Sequence, residues 1–115
     1  MGAGQLPSAV TVALGRFTSA VRARFGERVR ELTLFGSHAR GEAHDESDVD
    51  VLVVIDGLTE SERRDVMGLA YDADAADRQA WVGLAPLPYA TTQADELRAR
   101  EKRLLLDIGR EGIAL

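Results

Sequence analysis

The chain is 115 residues long, with 45% hydrophobic and 29% charged residues and a net charge of −5 at pH 7. This length predicts one domain, residues 1–115, with a core of modest size. The acidic balance argues against a nucleic-acid-binding protein, because such proteins normally present a basic surface to phosphates. The absence of cysteine excludes disulfides and thiolate metal sites. No signal peptide or membrane-spanning run is visible, so we expect a cytoplasmic protein.

The first third of the chain predicts a helix followed by a strand. Ser8 is the expected N-cap of the helix, and Gly26 is its expected end. The alternation in residues 31–35 then predicts a strand over about 29–35. Between Ser8 and Gly26, apolar residues recur at spacings of four, three and four, which places them on one helical face: Val10, Leu14, Phe17 and Val21.

A second strand is predicted over residues 48–55. The segment is rich in β-branched residues and is bounded by Ser47 and by Asp56 and Gly57. After Asp50 it is apolar on both faces, so we expect this strand to be central in its sheet.

A second helix is predicted from a capping box at residues 59–62 through about Gln79. Its apolar face consists mainly of small residues: Val66, Leu69, Ala70, Ala73 and Ala76 or Ala80. Three aspartates of this helix are expected on its solvated side, because an Asp-x-Asp spacing does not converge on a helix: Asp72, Asp74 and Asp77.

A third strand and a last helix complete the predicted elements. Residues 81–85 read as a strand that Pro86 and Pro88 stop. Residues 92–95 have the form of another capping box, and Gly112 is the expected end of the helix that follows. The apolar residues of this last helix are Leu97, Leu104, Leu105 and Ile108. The order α-β-β-α-β-α predicts an α/β (α+β) fold, in which helices pack against a small sheet.

A turn suited to binding phosphate follows the first strand. Gly36 and Ser37 can offer backbone N–H groups and a hydroxyl, and residues 37–40 can form a helical turn whose N-terminus favours an anion. A side chain at Gly36 would keep a phosphate away from the backbone. Arg40 is a candidate for a bidentate phosphate contact or for an ion pair with an acid of the following loop.

Two aspartates open the second strand. Asp48 and Asp50 are two residues apart, so their side chains point to the same face of a strand, with Cα atoms roughly 6.5–7 Å apart. The pair can bind one Mg²⁺ or bridge two, and carboxylates at the mouth of a buried strand need compensation by a cation or by solvent. A phosphate cradle followed by metal-binding carboxylates is what chemistry on a nucleoside triphosphate requires.

This stretch of sequence resembles the signature of the minimal nucleotidyltransferases of the DNA polymerase β-like superfamily. That signature has a Gly-Ser, a following Ala-Arg-Gly, and a Ser-Asp-x-Asp that opens a hydrophobic strand. The matching residues here are Gly36-Ser37, Ala39-Arg40-Gly41 and Ser47-Asp48-Val49-Asp50. The resemblance implies the polymerase β palm-like fold, a mixed sheet of three or more strands with helices packed against it and the active site on its open face.

The same resemblance implies an activity and roles for these residues. A nucleoside monophosphate would pass from Mg²⁺-bound nucleoside triphosphate, with ATP the expected donor, to a hydroxyl acceptor. Asp48 and Asp50 would be the catalytic metal ligands. The nucleotide-binding residues would be Gly36, Ser37, Arg40 and Ser47. Minimal members are often encoded beside a small helical HEPN protein, so the resemblance implies an antitoxin whose partner and acceptor is that protein.

The third strand departs from the family pattern. Active members place a third acid there, facing the aspartate pair, whereas this chain has no Asp or Glu in residues 79–93. The expected position falls within residues 82–85, which are apolar or Gly. Asp56 cannot replace that acid, because it lies about 20 Å from Asp50 at the rise of a strand. Asp45 and Glu46, in the loop before the pair, stay candidates.

Two hypotheses about function therefore stand side by side. The chain is a nucleotidyltransferase whose acceptor a partner supplies, or it is a nucleotide-binding or partner-binding antitoxin module whose chemistry is impaired. The oligomeric state stays open, because residues 113–115 and the small-residue face of the second helix fit either the core or contact with a second copy.

Four further residues near these motifs have both a functional and a plainer interpretation. His38 is a candidate contact for a phosphate or a transferred group, and His44 is a candidate proton acceptor. Histidines in a polar loop are more often solvated. Trp81 and Tyr89 can stack on a nucleobase, although packing in the core or against a partner explains them more simply.

Overall fold

The structure of the protein is a computed structural model that describes residues 6–115. No helix within this range is long and apolar enough to cross a membrane. The expectation about a signal peptide falls mainly on residues 1–5, which lie outside the described range. Helix α1 spans Ser8–Phe25 and buries the whole predicted apolar face. Ser8 is the first helical residue and not the N-cap, since Pro7 precedes the helix and no side chain caps it.

A mixed sheet of four strands in the order β3-β2-β1-β4 forms the centre of the described chain. The pairs β1–β2 and β1–β4 are antiparallel, and β2–β3 is parallel. Strand β2 has a neighbour on both sides, and every residue in it except Asp50 is buried, which confirms the prediction of a central strand. The strands are β1 (Val29–Phe35), β2 (Val49–Ile55), β3 (Leu84–Ala90) and β4 (Ile113–Ala114).

The prediction for the third strand was wrong in its bounds. Strand β3 begins at Leu84 and continues through both prolines to Ala90. Proline fits there because β3 is an edge strand, on which alternate residues direct their backbone polar groups away from the neighbouring strand. The carbonyl of Pro88 accepts a hydrogen bond from the Arg63 guanidinium, which lies on that outer side.

Helix α3 spans Glu60–Ala75 and starts at the predicted capping box. The Thr59 hydroxyl accepts the N–H of Glu62 at 3.2 Å, and the Glu62 carboxylate accepts the N–H of Thr59 at 3.1 Å. The helix ends four residues before the predicted Gln79, and Ala76 is exposed where a buried position was expected.

Asp74 is the residue of α3 for which the prediction was most clearly wrong. Its side chain is buried, with 3% of the residue exposed, instead of lying on a solvated face. Its two carboxylate oxygens accept the backbone N–H groups of Val82 and Leu84 at 3.0 and 2.8 Å. Asp74 thus fixes the chain at the entrance to β3. Asp72 and Asp77 are exposed, as predicted.

The predicted last helix is two helices, α4 (Thr91–Ala99) and α5 (Arg103–Glu111). The chain breaks between them at Glu101, which has a positive φ of 55°. Helix α4 begins at Thr91, one residue before the predicted capping box, and the Gln93 side chain accepts the N–H of Ala90 at 2.9 Å. Gly112 ends α5 as predicted, and β4 follows it.

The helices cover both faces of the sheet. Helices α1 and α3 pack on one face, where the larger buried cluster includes Phe17, Val51 and Val66. Helices α4 and α5 pack on the other face against Leu52 and Val54. Because side chains alternate along a strand, Asp50 shares the face of Leu52 and Val54. The second face is therefore covered over most of β2, and the Asp50 side chain remains partly exposed at its end.

Candidate functional site

The turn after β1 brings Gly36 against the second strand. Gly36 has a positive φ of 79°, and its carbonyl accepts the N–H groups of Ala39 and Arg40, both at 3.1 Å. These bonds form the short helix α2 (Ser37–Arg40), which the sequence predicted. A β-carbon on Gly36 would overlap Oδ2 of Asp50, so the glycine leaves the space in which that carboxylate lies.

Asp50 senses the negative charge of Asp48, which the two-residue spacing places nearby. Burial raises the pKa of Asp50 above its ordinary value, and the negative charge of Asp48 raises it further. His38 and Arg40 lower the Asp50 pKa, but by less than burial and Asp48 raise it. Two carboxylates held together in this way form a site that a divalent cation would stabilise.

Arg40 lies near acids as well as near the candidate phosphate site. Its Nε donates to the Glu42 carboxylate at 2.9 Å, so the pairing with an acid of the loop, one of its two expected roles, is what this structure contains. The pKa of Arg40 is raised mainly by that hydrogen bond, with smaller contributions from Glu111 and Asp50. Arg40 therefore joins helix α2 to the loop and lies within electrostatic range of Glu111 at the end of α5.

The loop before Asp48 is closed by bonds among its own residues. The Ser47 hydroxyl accepts the N–H of His44 at 3.0 Å, and the Ser47 N–H donates to the His44 carbonyl at 2.9 Å. The imidazole Nδ1 of His44 accepts the N–H of Glu46 at 3.3 Å. These bonds between Ser47 and His44 form the turn that precedes Asp48. Asp45 and Glu46, within this turn, are exposed.

Two cavities lie near the aspartate pair, although neither aspartate is among their lining residues. The first, which we call the arginine cavity, has a volume of about 200 Å³ and lies on the sheet face of α5. It is lined by Gly36, Arg40, Leu104, Asp107 and Glu111, among others. Since Gly36 contacts Asp50, this cavity opens beside the second aspartate.

The second cavity, which we call the histidine cavity, has a volume of about 240 Å³ and lies towards the start of α1. It is lined by His38, His44, Asp45, Ser47, Trp81 and Val82, among others. His38 is 6% exposed, and its Nδ1 has no hydrogen-bond partner within residues 6–115. The cavity lies close to Asp48. Two of its lining residues, Ser47 and Val82, directly precede Asp48 and Gly83, and these two residues lie against each other.

Gly83, which directly precedes β3, faces Asp48 near the position at which the family would place a third acid. A β-carbon there would stand 3.2 Å from Oδ1 of Asp48, and the residue has a positive φ of 79°. Ala85 is the register partner of Asp50. Neither carries a carboxylate, and residues 6–115 contain no group of three or more His, Cys, Asp or Glu side chains arranged to hold a metal.

A family model described as a nucleotidyltransferase domain matches residues 14–104. The chain belongs to this nucleotidyltransferase family. The match runs from α1 to the start of α5 and so includes Gly36, Asp48, Asp50 and the whole of β3. The family resemblance expected from residues 36–50 is thereby confirmed.

Two curated relatives are similar to this nucleotidyltransferase domain over short segments. The protein adenylyltransferase MntA of Thermococcus cleftensis is 61% identical over 33 residues, which are 29% of this chain and 31% of that protein. A "putative protein adenylyltransferase" of Methanocaldococcus jannaschii is 41% identical over 44 residues, 38% of this chain and 44% of that protein. The matches thus span less than half of either relative.

The nucleotidyltransferase domain is also similar to one solved structure. The crystal structure of a "putative nucleotidyltransferase" from Sulfolobus solfataricus has a TM-score of 0.49 and 20% sequence identity to it. The superposition covers 96% of this chain and 88% of the other.

Some residues around the site were not anticipated from the sequence. Asp107 and Glu111 of α5 line the arginine cavity, and Tyr71 of α3 makes an edge-to-face contact with Trp81 at 5.4 Å between ring centroids. The sequence offered one signal for Tyr71, which stands one helical turn after Met67 on an otherwise polar face. Tyr89, a candidate for stacking on a nucleobase, packs against the buried cluster that contains Leu52 and Val54. Asp56 forms an ion pair with Arg30.

Proposed function

We propose that this nucleotidyltransferase domain transfers AMP from Mg²⁺-bound ATP to a hydroxyl group of a protein acceptor. The observation that carries the proposal is the convergence of Asp48 and Asp50 beside Gly36, where a glycine is required to leave room for the carboxylate. The names of the relatives support the choice of ATP as donor and of a protein as acceptor, since both are called protein adenylyltransferases.

The residues of the candidate site would have separate roles in the proposed transfer. Gly36 and Ser37 would hold the triphosphate through backbone N–H groups and a hydroxyl, and Arg40 would leave Glu42 to contact a phosphate oxygen. Asp48 and Asp50 would hold Mg²⁺, since two carboxylates together with substrate phosphates suffice for this ion. Ser47 would support the pair by closing the turn before Asp48. Bound Mg²⁺ would neutralise negative charge on the phosphates during transfer.

The proposed reaction forms one bond and breaks one. The acceptor oxygen attacks the α-phosphorus of ATP, and the bond from that phosphorus to the oxygen bridging the α- and β-phosphates breaks. AMP becomes attached to the acceptor and pyrophosphate leaves. The hydroxyl proton passes to water in the open site, because neither Gly83, which faces Asp48, nor Ala85, which pairs with Asp50, supplies a carboxylate. We therefore expect a slow enzyme.

The missing acid also favours a second candidate function. Gly83 and Ala85 leave the position opposite the aspartates without a base, so the domain could act by binding its partner, with or without nucleotide, and transfer nothing. In either form we propose an antitoxin whose partner is a small helical protein of the HEPN type. Because ATP is its donor, the proposed activity belongs in the cytoplasm.

The experiment that tests the transfer is incubation of the protein with Mg²⁺ and ATP labelled at the α-phosphate, in lysate of the source cell. We expect label on a discrete protein species, and no label with Asp50→Asn. Label at the γ-phosphate should not transfer, because the γ-phosphate leaves with pyrophosphate.

Asp95→Asn is the matched control for the loss of one negative charge. Asp95 is exposed on α4, away from the aspartate pair, so this variant should label the acceptor as the wild type does. Absence of any label from a folded wild-type protein that binds Mg²⁺ and ATP would favour the second candidate function.

A further inference from the structure

We propose that the histidine cavity, together with an exposed aromatic patch beside it, docks the protein acceptor, and that the acceptor segment is basic. The aromatic patch consists of Met67 and Tyr71 of α3 and of Trp81. This inference rests on the proposed function for the identity of the reaction, but the surface itself is argued from its own residues.

The position of the histidine cavity suits an acceptor. The arginine cavity borders Gly36 and Arg40, the candidate phosphate contacts, on the sheet face of α5. The histidine cavity lies on the side of α1 and approaches Asp48 only through its chain neighbour Ser47 and through Val82. In phosphoryl transfer the attacking and leaving oxygens lie roughly in line on opposite sides of the phosphorus. If pyrophosphate leaves towards Arg40, the attacking hydroxyl approaches from the histidine cavity.

The size and lining of the histidine cavity suit one side chain better than a nucleoside. Its volume of about 240 Å³ is below the roughly 300–1,000 Å³ of pockets that enclose drug-sized ligands. Its walls combine apolar groups, such as Val10 and Trp81, with the polar groups of His38 and Ser47. His38 is more than nine-tenths buried, and its Nδ1, which is itself buried, has no hydrogen-bond partner within residues 6–115.

The aromatic patch continues outwards from the cavity. Trp81 both lines the cavity and contacts Tyr71, and Met67 precedes Tyr71 by one turn of α3. The three residues are exposed by 47%, 55% and 46%, respectively. Aromatic residues and methionine are enriched in protein–protein interfaces, where each buries a large area. The patch can therefore bind the chain on either side of an acceptor residue seated in the cavity.

Charge around this surface predicts the chemistry of the acceptor segment. Four exposed carboxylates surround the cavity and the patch, and none forms an ion pair within residues 6–115: Asp45, Glu46, Asp72 and Asp77. Three exposed arginines lie close to these carboxylates: Arg16 lines a cavity with Asp77, Arg64 lines a cavity with Asp72, and Arg78 follows Asp77, so the surface has a small excess of negative charge. Complementary charge steers encounter and rejects acidic segments, so the fitting partner presents lysines and arginines near its hydroxyl residue.

Trp81 is the only tryptophan of the chain, so its fluorescence reports occupancy of the surface without any catalysis. The probes are synthetic peptides with one central Ser, Thr or Tyr, flanked by lysines and arginines or, in the matched set, by aspartates and glutamates. Titration of the full chain with the basic peptides should change the Trp81 emission, and the acidic peptides should leave it unchanged. Added Mg²⁺ and ATP should not displace the basic peptide.

Two sets of variants locate the binding. Tyr71→Ala should weaken basic-peptide binding by about tenfold, the size of an aromatic hot spot. The double variant Asp45→Asn with Asp77→Asn should bind the basic peptide more weakly than the wild type does. The difference in affinity should grow as the salt concentration is lowered, because low salt strengthens only the electrostatic attraction that the variant lacks. Leu106→Ala, at an exposed apolar residue of α5 that lines neither cavity, is the control and should bind as wild type does. Calorimetric titration of the wild type with the same peptides measures the binding without relying on the fluorophore.

The outcomes separate this inference from the proposed function. Peptide binding that Tyr71→Ala weakens, without transfer of label from ATP to the peptide, supports the docking surface and counts against the transfer. Equal binding of acidic and basic peptides, or no binding to a folded protein, overturns the docking surface whatever the transfer assay gives. Competition between ATP and peptide for the Trp81 signal also overturns it, because the cavity would then hold the nucleotide.

Discussion

Gly36 and Asp50 lie so close together that a β-carbon on the glycine would occupy the place of the aspartate's Oδ2. The contact joins the turn after β1 to the strand that carries the aspartate pair. It explains why these two motifs, separated by a loop in the sequence, act as one candidate site. The glycine has a second constraint, since its φ of 79° is unfavourable for residues with a side chain.

Gly36→Ala should abolish Mg²⁺-dependent ATP binding while the protein stays folded. The new methyl group would displace the Asp50 carboxylate and block the approach of a phosphate to the backbone. Calorimetric titration of ATP in the presence of Mg²⁺ measures the loss. Gly15→Ala is the control, because Gly15 lies in α1 with no atom near its β-carbon position and should gain about 0.5–1 kcal/mol of stability. ATP binding by Gly36→Ala at wild-type strength would contradict the assignment.

Asp50→Asn should raise the stability of the metal-free protein at pH 7. Burial and the charge of Asp48 raise the pKa of Asp50 above its ordinary 3.8, so the ionised carboxylate is disfavoured in the folded state. A carboxyl with a raised pKa costs stability as the pH rises through that pKa, and the amide removes this cost. The advantage of the variant in urea unfolding should therefore be present at neutral pH and disappear below pH 3.8.

Magnesium should reverse the order of the two proteins. Bound Mg²⁺ stabilises the folded wild type by mass action, whereas Asp50→Asn lacks one of its two ligands. The melting temperature of the wild type should rise with Mg²⁺ and that of the variant should not. An equal response of both proteins would remove Asp50 from the metal site.

Gly83→Asp should tighten Mg²⁺ binding and speed AMP transfer, at a cost in stability. The new carboxylate would face Asp48, since the β-carbon position is 3.2 Å from Asp48 Oδ1. Without metal, like charges and the positive φ should destabilise the fold by about 1–3 kcal/mol. Gly83→Asn is the matched control, with nearly the same shape and no charge. If the Mg²⁺ affinity rises equally in both variants, or in neither, residue 83 does not occupy the position of a third metal-binding carboxylate.

The parts of the molecule that the sequence predicted well are those that local chemistry decides. The apolar spacing of α1, the capping box at Thr59 and the β-branched run of β2 each define an element within a few residues, and all three are confirmed. The contact between Asp50 and Gly36 was not itself predicted, although the motif assigned both residues to one candidate site. The roles of these site residues remain predictions.

The errors arose where tertiary contacts outweigh local preference. Pro86 and Pro88 normally interrupt a strand, but the edge position of β3 leaves their backbone groups on the side without a partner strand. Asp74 was expected in solvent from its spacing alone, whereas its two backbone partners lie eight and ten residues further along the chain. The two-residue strand β4 depends on pairing with β1, which sequence periodicity cannot reveal.

Asp74→Ala should destabilise the protein by about 2–4 kcal/mol, because two buried N–H groups would lose their acceptor. Asp74→Asn should cost about half as much, since its amide oxygen can still accept one of the two bonds. Asp72→Ala, an exposed neighbour in the same helix, should change stability by less than about 0.5 kcal/mol. Urea unfolding measures all three. Equal stability of Asp74→Ala and Asp72→Ala would show that the bonds to β3 contribute little.

Glu62→Gln should lower the free energy of unfolding at neutral pH but not at strongly acidic pH. The Glu62 carboxylate accepts two bonds from Arg28, at 2.9 and 2.7 Å, and one from the N–H of Thr59. These hydrogen bonds, first of all those from Arg28, lower the pKa of Glu62 from 4.5 to about 2. A carboxylate with a lowered pKa adds stability above its unfolded pKa, and this stability is lost as the pH falls through the folded pKa.

The wild type should therefore be more stable than Glu62→Gln at pH 7, and the difference should vanish between pH 4.5 and about 2. Below that range the protonated Glu62 and the glutamine are nearly equivalent, so the two proteins should unfold at the same urea concentration. Glu60→Gln, a neighbouring and well-exposed position, should match the wild type throughout. A stability difference between wild type and Glu62→Gln that stays constant down to pH 2 would mean that packing, and not the charge on Glu62, anchors the start of α3 to Arg28.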